Sequence, residues 1–219
     1  MELSLREAWS EVIVAADYEL HMANVGQAQA NATLMRDLVL SAGLAPGSRV
    51  LIAGAGPGQF FEFAPAAYLE PHDLVLTDIN PAFVDLALTR AIAAGLRKVE
   101  AVVDDIEATG LGGPFALAVL VLVLEHVDWR RALAEVVGLG LERLVLVIQR
   151  NPENMETMVT PHREMPGSLK ACQTGEKPHL LDEGQVTSCL SDLGFTLTTR
   201  DERQVADGKS MIGLMFIAS

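Results

Sequence analysis

The chain has 219 residues, half of them hydrophobic and 21% charged, and its 16 Lys and Arg against 29 Asp and Glu give a formal net charge of −13. That length and apolar content suffice for one sizeable core and exclude a disordered or fibrous chain; the negative balance is the wrong sign for gripping phosphate backbones, which sets nucleic acid aside. Two cysteines, Cys172 and Cys189, stand apart from any ligand-spaced histidines, so neither a disulfide framework nor a metal site is expected, and the chain reads as a soluble protein of the reducing cytoplasm.

The first twenty residues carry Glu2, Arg6, Glu11, Asp17 and Glu19 among the apolar repeat Leu5, Trp9, Val12, Ala16 and Leu20. This is helical spacing, without the basic start and apolar middle of a signal peptide. Leu34, Met35, Leu38 and Val39 repeat it, so residues 1–45 are expected to form a cap of two or three helices. Ala45-Pro46-Gly47-Ser48 ends them.

Strands are then predicted at about 49–53, 73–78, 98–103, 115–122 and 143–149, with helices at about 58–69, 81–94 and 128–138. Pro65 conflicts with the first of these helices and should kink or split it. Near-continuous Val, Leu, Ile and Ala in the strands fits a parallel sheet covered on both faces. The longest apolar run, Phe115 to Leu124, is about half the ~20 residues of a membrane-spanning helix. Asn151 to Lys177 has no period, Leu181 to Leu193 is helical, and Phe195 to Arg200 and Met211 to Ala218 close the chain as strands about an Asp207-Gly208 turn. The expected fold is α/β, a doubly wound and mostly parallel seven-stranded sheet with a C-terminal antiparallel pair and an N-terminal helical cap. It reads as one domain, with residues 46–149 as its core and 150–219 as a following segment with the closing strands.

The most informative stretch is Val50 to Gln59, where a strand feeds Gly54, Gly56 and Gly58 and then a helix. Glycines let the backbone turn sharply and let a ligand approach the amides at the carboxyl edge of the sheet. The dinucleotide pattern GxGxxG is not met, because Gln59 holds its last place. A tight turn without a ligand is the competing reading. Twenty residues after Gly58 the second strand ends in Asp78, a carboxylate placed to accept two ribose hydroxyls; a turn or helix-cap aspartate is the alternative, since Asn80-Pro81 follows. The third strand ends in Asp104-Asp105-Ile106, where a carboxylate can take an adenine amine and an isoleucine its face.

This order resembles the class I S-adenosylmethionine-dependent methyltransferases of the group that modifies small molecules, by motif over about residues 45–150 and by element order throughout. The resemblance implies that Gly54, Ala55, Gly56 and Gly58 hold the methionine part, Asp78 the ribose, Ile79 and Ile106 the adenine faces and Asp105 its edge, with Leu120 offering a carbonyl near the ligand's amino group. Tyr18 of the cap is a further candidate for the cofactor site. S-adenosylmethionine would be the cofactor and S-adenosylhomocysteine its product. Two departures stand out: Ala53 and Ala116 occupy positions that are often acidic in the family, and Glu125 or Glu62 are candidates to replace the first.

Transfer to a small, partly apolar acceptor is the implied reaction, in line with the S–CH₃ bond, and orientation can supply on the order of 7–11 kcal/mol of the barrier. A general base is needed only when the acceptor must lose a proton; His126, His162 and His179 are the candidates, and Met155, Met158 and Met165 suit an adaptable apolar pocket. Competing readings are an adenosyl-binding protein without activity and a nicotinamide-dependent oxidoreductase. The oligomeric state is left open, a homodimer included.

Overall fold

The computed structural model describes residues 3–158, 165, 167–174 and 176–219. Helix α1 (Leu5–Glu7) begins with a reciprocal cap in which the Ser4 hydroxyl accepts from the Glu7 amide and the Glu7 carboxylate from the Ser4 amide, satisfying donors that a first turn leaves free. The chain continues through a wider helical turn, Ala8–Val12, becomes extended at Ile13, and re-enters helix as α2 (Ala15–Asn24) and α3 (Gln27–Ser41). The single apolar stripe expected from Leu5 to Leu20 is corrected here. Leu5 is buried, yet Val12 is 38% and Leu20 54% exposed, because the break at Ile13 turns the two stretches to different faces.

Next come β1 (Arg49–Ala53), α4 (Phe60–Phe63), β2 (Asp73–Asp78), α5 (Pro81–Ala93), β3 (Val99–Val103), β4 (Leu117–Val121), α6 (Trp129–Gly138) and β5 (Arg143–Arg150). The remainder holds α7 (Ala171–Thr174), α8 (Glu183–Asp192), β6 (Phe195–Gln204) and β7 (Ser210–Ala218). Pro65 does split its helix: α4 stops at Phe63, Ala64 is extended, and a short 3-10 turn covers Ala66–Tyr68, as the steric demand of a proline on its predecessor requires.

The strands join in the order β3-β2-β1-β4-β5-β7-β6. β1 pairs in parallel with β2 and β4, β2 with β3, and β4 with β5. β7 lies between β5 and β6, antiparallel to both. Alternate residues of β1 feed two cores: Leu51 and Ala53 meet Leu133 and Val136 of α6 and Val186 and Leu190 of α8, whereas Val50 and Ile52 meet Met35 and Leu38 of α3 and Ala87 of α5. The chain thus leaves β1 and β4 toward opposite faces. A sheet wound this way leaves a crevice at the carboxyl ends of the two strands where the order reverses.

Candidate functional site

The carboxyl ends of β1 to β4 open into one crevice of about 1410 Å³, counted to its mouth, and the cap roofs it with Trp9 and Tyr18. Gly54 and Gly56 form its floor with φ of 65° and 57°. A Cβ at Gly54 would stand 2.4 Å from Cγ2 of Val123, and one at Gly56 would point toward the Tyr18 ring, 3.7 Å away. Gly58 departs from its expected role. A Cβ there would lie 3.0 Å from Cα of Ala87, so this glycine lets α5 approach closely, and it does not line the crevice.

Asp78 ends β2 and is 9% exposed. Its Oδ2 accepts from the Gly56 amide at 2.9 Å and its Oδ1 from the Asn80 amide at 2.9 Å. Burial pushes the carboxyl up to about 6, against the pull of those backbone donors. The helix-cap reading belongs to its neighbour: the Asn80 side chain accepts from the Ala82 and Phe83 amides to start α5. Its Nδ2 also donates to the carbonyls of Trp9 at 2.9 Å and Ile13 at 3.1 Å, fastening the cap to the sheet edge. Beyond β3, the Asp104 carboxylate accepts from the Gly110 amide and Asp105 from the Glu107 amide. Oδ2 of Asp105 meets Nε of Arg6 at 2.9 Å across the mouth, with Arg6 64% exposed, so water screens the pair. Ile79, Asp105 and Ile106 line this end of the crevice.

His126 lies on the wall between the two ends. Nε1 of Trp9 donates to its Nδ1 at 3.0 Å, and the rings meet edge to face at 4.8 Å. Burial pushes the imidazole down to about 3, with His179 adding to the effect. It is therefore neutral near pH 7, and because Nδ1 accepts, its proton sits on Nε2. That makes His126 a hydrogen-bond donor and a poor general base. His179 is exposed and does not line the crevice; its amide donates to the Glu125 carbonyl at 2.7 Å. His162 lies outside the described residues.

The opposite end is lined by Met22, Val25, Leu122 and Met158, with Gln27, Gln149 and Lys209 supplying polar atoms. Gln27 Nε2 donates to Gln149 Oε1 at 2.8 Å, Gln149 Nε2 to the Met158 carbonyl at 2.9 Å, and Lys209 Nζ to the same carbonyl at 2.6 Å. Leu122 takes a left-handed φ of 54°, a strained conformation of the kind found at binding sites. Met165 lines the crevice against the cap, but Met155 does not reach it. Ser168 ties this segment to α2, its amide and hydroxyl both donating to Asp17 Oδ2 at 2.7 Å.

Leu120 is 1% exposed inside β4, and the crevice begins one residue later at Val121. Neither expected substitute for an acid at position 53 serves. Glu62 is 53% exposed and pairs with Arg90 at 3.3 Å; Glu125 is fully buried away from the crevice, accepting from the Gln149 amide at 2.9 Å. Sequence reasoning missed Asn31, Gln27, Asn80 and Gln149. The signal for the first two was present, since Gln27 and Asn31 interrupt the stripe that Leu34, Met35 and Leu38 make on α3, and a buried polar side chain on an apolar face is the informative exception. Among the described residues, no group of three or more His, Cys, Asp or Glu is placed to hold a metal, and no helix is long and apolar enough to cross a membrane.

Residues 50–139, which span β1 to α6, match the family model of a methyltransferase domain. Among solved structures, the chain is similar to the magnesium protoporphyrin IX methyltransferase of Synechocystis PCC 6803 with bound S-adenosylhomocysteine, at 19% identity and a TM-score of 0.65 over 87% of this chain and 83% of that one. It is also similar to the geranyl diphosphate C-methyltransferase of Streptomyces coelicolor A3(2), at 12% identity and a TM-score of 0.63 over 85% and 79%. A third similar structure, the (4+2)-cyclase SpnF, shares 14% identity with a TM-score of 0.63 over 84% and 79%. No curated protein matches by sequence. At such identities the structures establish the fold alone; over residues 50–139, less than half of the chain, the sequence matches a methyltransferase domain.

Proposed function

We propose that this chain transfers the methyl group of S-adenosylmethionine to a small, partly apolar acceptor, leaving S-adenosylhomocysteine. The observation that carries the reading is a single crevice with two chemically different ends. One end has backbone amides, Asp78 and Asp105 beside Ile79 and Ile106; the other has methionines around a few glutamine amides. The residues fit an adenosyl group: the turn at Gly54 and Gly56 has no side chains to fill its cradle, and the two Asp78 oxygens keep lone pairs beyond the backbone donors they accept from. Asp78 would hold the ribose hydroxyls, and Asp105 with Ile106 the adenine. When bound, S-adenosylmethionine supplies an electrophilic methyl on a sulfonium.

The protein's own contribution is alignment and exclusion of water. Trp9 and Tyr18 roof the crevice at 5.8 Å from each other, edge to face, and aromatic faces tolerate a cation where water is excluded. His126 holds its proton on Nε2 and can donate to an acceptor oxygen. A side chain with its basicity suppressed this far takes up no proton near pH 7, so the acceptor in this reading is one that ionises readily, such as a thiol or an acidic hydroxyl or methylene. Residues 1–45 cover the donor end, 46–149 form its floor and 150–219 bound the acceptor end, all within one domain of cytoplasmic location.

A second reading, adenosyl binding without transfer, is favoured by Ala53 and Ala116. Calorimetry with S-adenosylmethionine, S-adenosylhomocysteine and NAD separates the classes, and mass spectrometry of thiol and phenol acceptors for one added methyl separates transfer from binding. Preference for NAD, or no binding of either adenosyl compound, would overturn the proposal.

A further inference from the structure

A recess of about 490 Å³ opens off the crevice beneath α3. It shares Gly54, Tyr18, Met22 and Val121 with the main space and continues to Ala55, Gln59 and Asn31. Asp78 and Asp105 line the main space and not the recess, so a ligand whose nucleoside lies against those acids has only its far end left to place where the two spaces join at Gly54. Most of its wall is apolar: Ala28, Ala32, Met35, Ile52 and Phe60. Gln59 has its amide nitrogen engaged with the Glu19 carbonyl at 3.1 Å. Asn31 is different. It is 6% exposed, and its Oδ1 is buried without a hydrogen-bond partner. Unpaired buried carbonyl oxygens are rare in folded proteins and mark a place where a donor is missing.

We infer that Asn31 is a ligand-binding residue: its Oδ1 accepts from the ammonium group of the α-amino-acid end of the adenosyl cofactor. The inference rests on the proposed function and extends it to the recess, whose lining among the described residues holds no acid. β1 closes on Ala53, and Glu62 is held by Arg90 at the surface. An uncharged oxygen therefore stands where an ammonium would otherwise meet a carboxylate.

The test uses two probes that share the nucleoside and the sulfur but differ in the amino-acid tail, S-adenosylhomocysteine and 5′-methylthioadenosine. Both are titrated calorimetrically into the parent chain and into Asn31→Leu and Asn31→Asp. Asn31→Leu is expected to weaken the homocysteine compound by about tenfold, the scale of one hydrogen bond to a charged group, and to leave the tailless compound within about twofold. Asn31→Asp should tighten the first selectively by supplying the charge. Equal losses for both probes, or none for either, would overturn the inference while leaving the methyltransferase reading intact; failure of the parent to bind either probe would remove both. Thermal unfolding guards against collapse of the variant: replacing an unpaired amide by an apolar isostere should leave the midpoint unchanged or raise it. If Asn31→Leu does not fold, the ratio of the two affinities in Asn31→Asp decides alone, an unchanged ratio counting against the inference.

Discussion

Replacing Asp78 by alanine should weaken binding of S-adenosylhomocysteine by about 1–3 kcal/mol, or roughly 5- to 150-fold in Kd, because the ribose hydroxyls lose a charged acceptor. The side chain is 9% exposed, so little water is at hand to take its place. Its pKa predicts the pH dependence. Burial holds the Asp78 carboxyl up at about 6, above its ordinary value, so the folded chain binds this proton more tightly than the unfolded one does. The stability that this group contributes is present below about pH 4 and is lost as pH rises toward 6. Ligand affinity runs the other way, since the hydroxyls donate to the ionised form: it should climb as pH rises through about 6 and then level. Calorimetric titrations of both chains between pH 5 and 8 check this. Equal affinity in parent and Asp78→Ala, or a parent profile as flat as that of the variant, would refute the assignment. The Gly56 and Asn80 amides lose their acceptor in the same variant, so each titration is run well below the thermal midpoint.

Gly54→Ala places a Cβ 2.4 Å from Cγ2 of Val123 at a φ of 65°; a midpoint lowered by on the order of 5 °C and weaker binding of the homocysteine compound are expected from calorimetry. Trp9→Phe removes the donor to His126 Nδ1, costing about 1 kcal/mol, and nitrogen NMR should show the imidazole change from one tautomer to a mixture; unaltered ring signals would sink the assignment. Glu125, raised by burial to about 7, disfavours folding increasingly as pH climbs from its ordinary range through 7. Glu125→Gln, which keeps a carbonyl for the Gln149 amide, should therefore match the parent in thermal stability at pH 5 and exceed it at pH 8.5; a lower midpoint at the higher pH would contradict this.

β1 and β2 run over Arg49–Ala53 and Asp73–Asp78, where the apolar runs predict them, because strands buried on both faces are written as uninterrupted hydrophobic stretches between turn residues. β6 is different. It extends to Gln204 rather than ending at Arg200, with a register shift between Leu197 and Thr199. Its last residues are charged and sit on the edge of the sheet, where pairing to β7 and not hydropathy makes them a strand. The floor and acidic end of the crevice were legible for a related reason: Gly54, Gly56, Asp78 and Asp105 each stand at or just past the end of a strand that could be read. The roof and the opposite end were not, because Trp9 reaches His126 across more than a hundred positions of chain and nothing near either residue announces the other. Leu122 shows the same limit in the backbone, since leucine gives no local cue for a left-handed turn.

Asn80 has one further consequence, and it concerns tempo. Its backbone rests on Asp78 and its carboxamide grips the carbonyls of Trp9 and Ile13, so one residue ties the cap to the carboxyl end of β2. Under the proposed function, a product that leaves past Trp9 would have to open that tie first. In that reading the dwell time between catalytic cycles would depend on one side-chain amide that need never touch the reacting atoms.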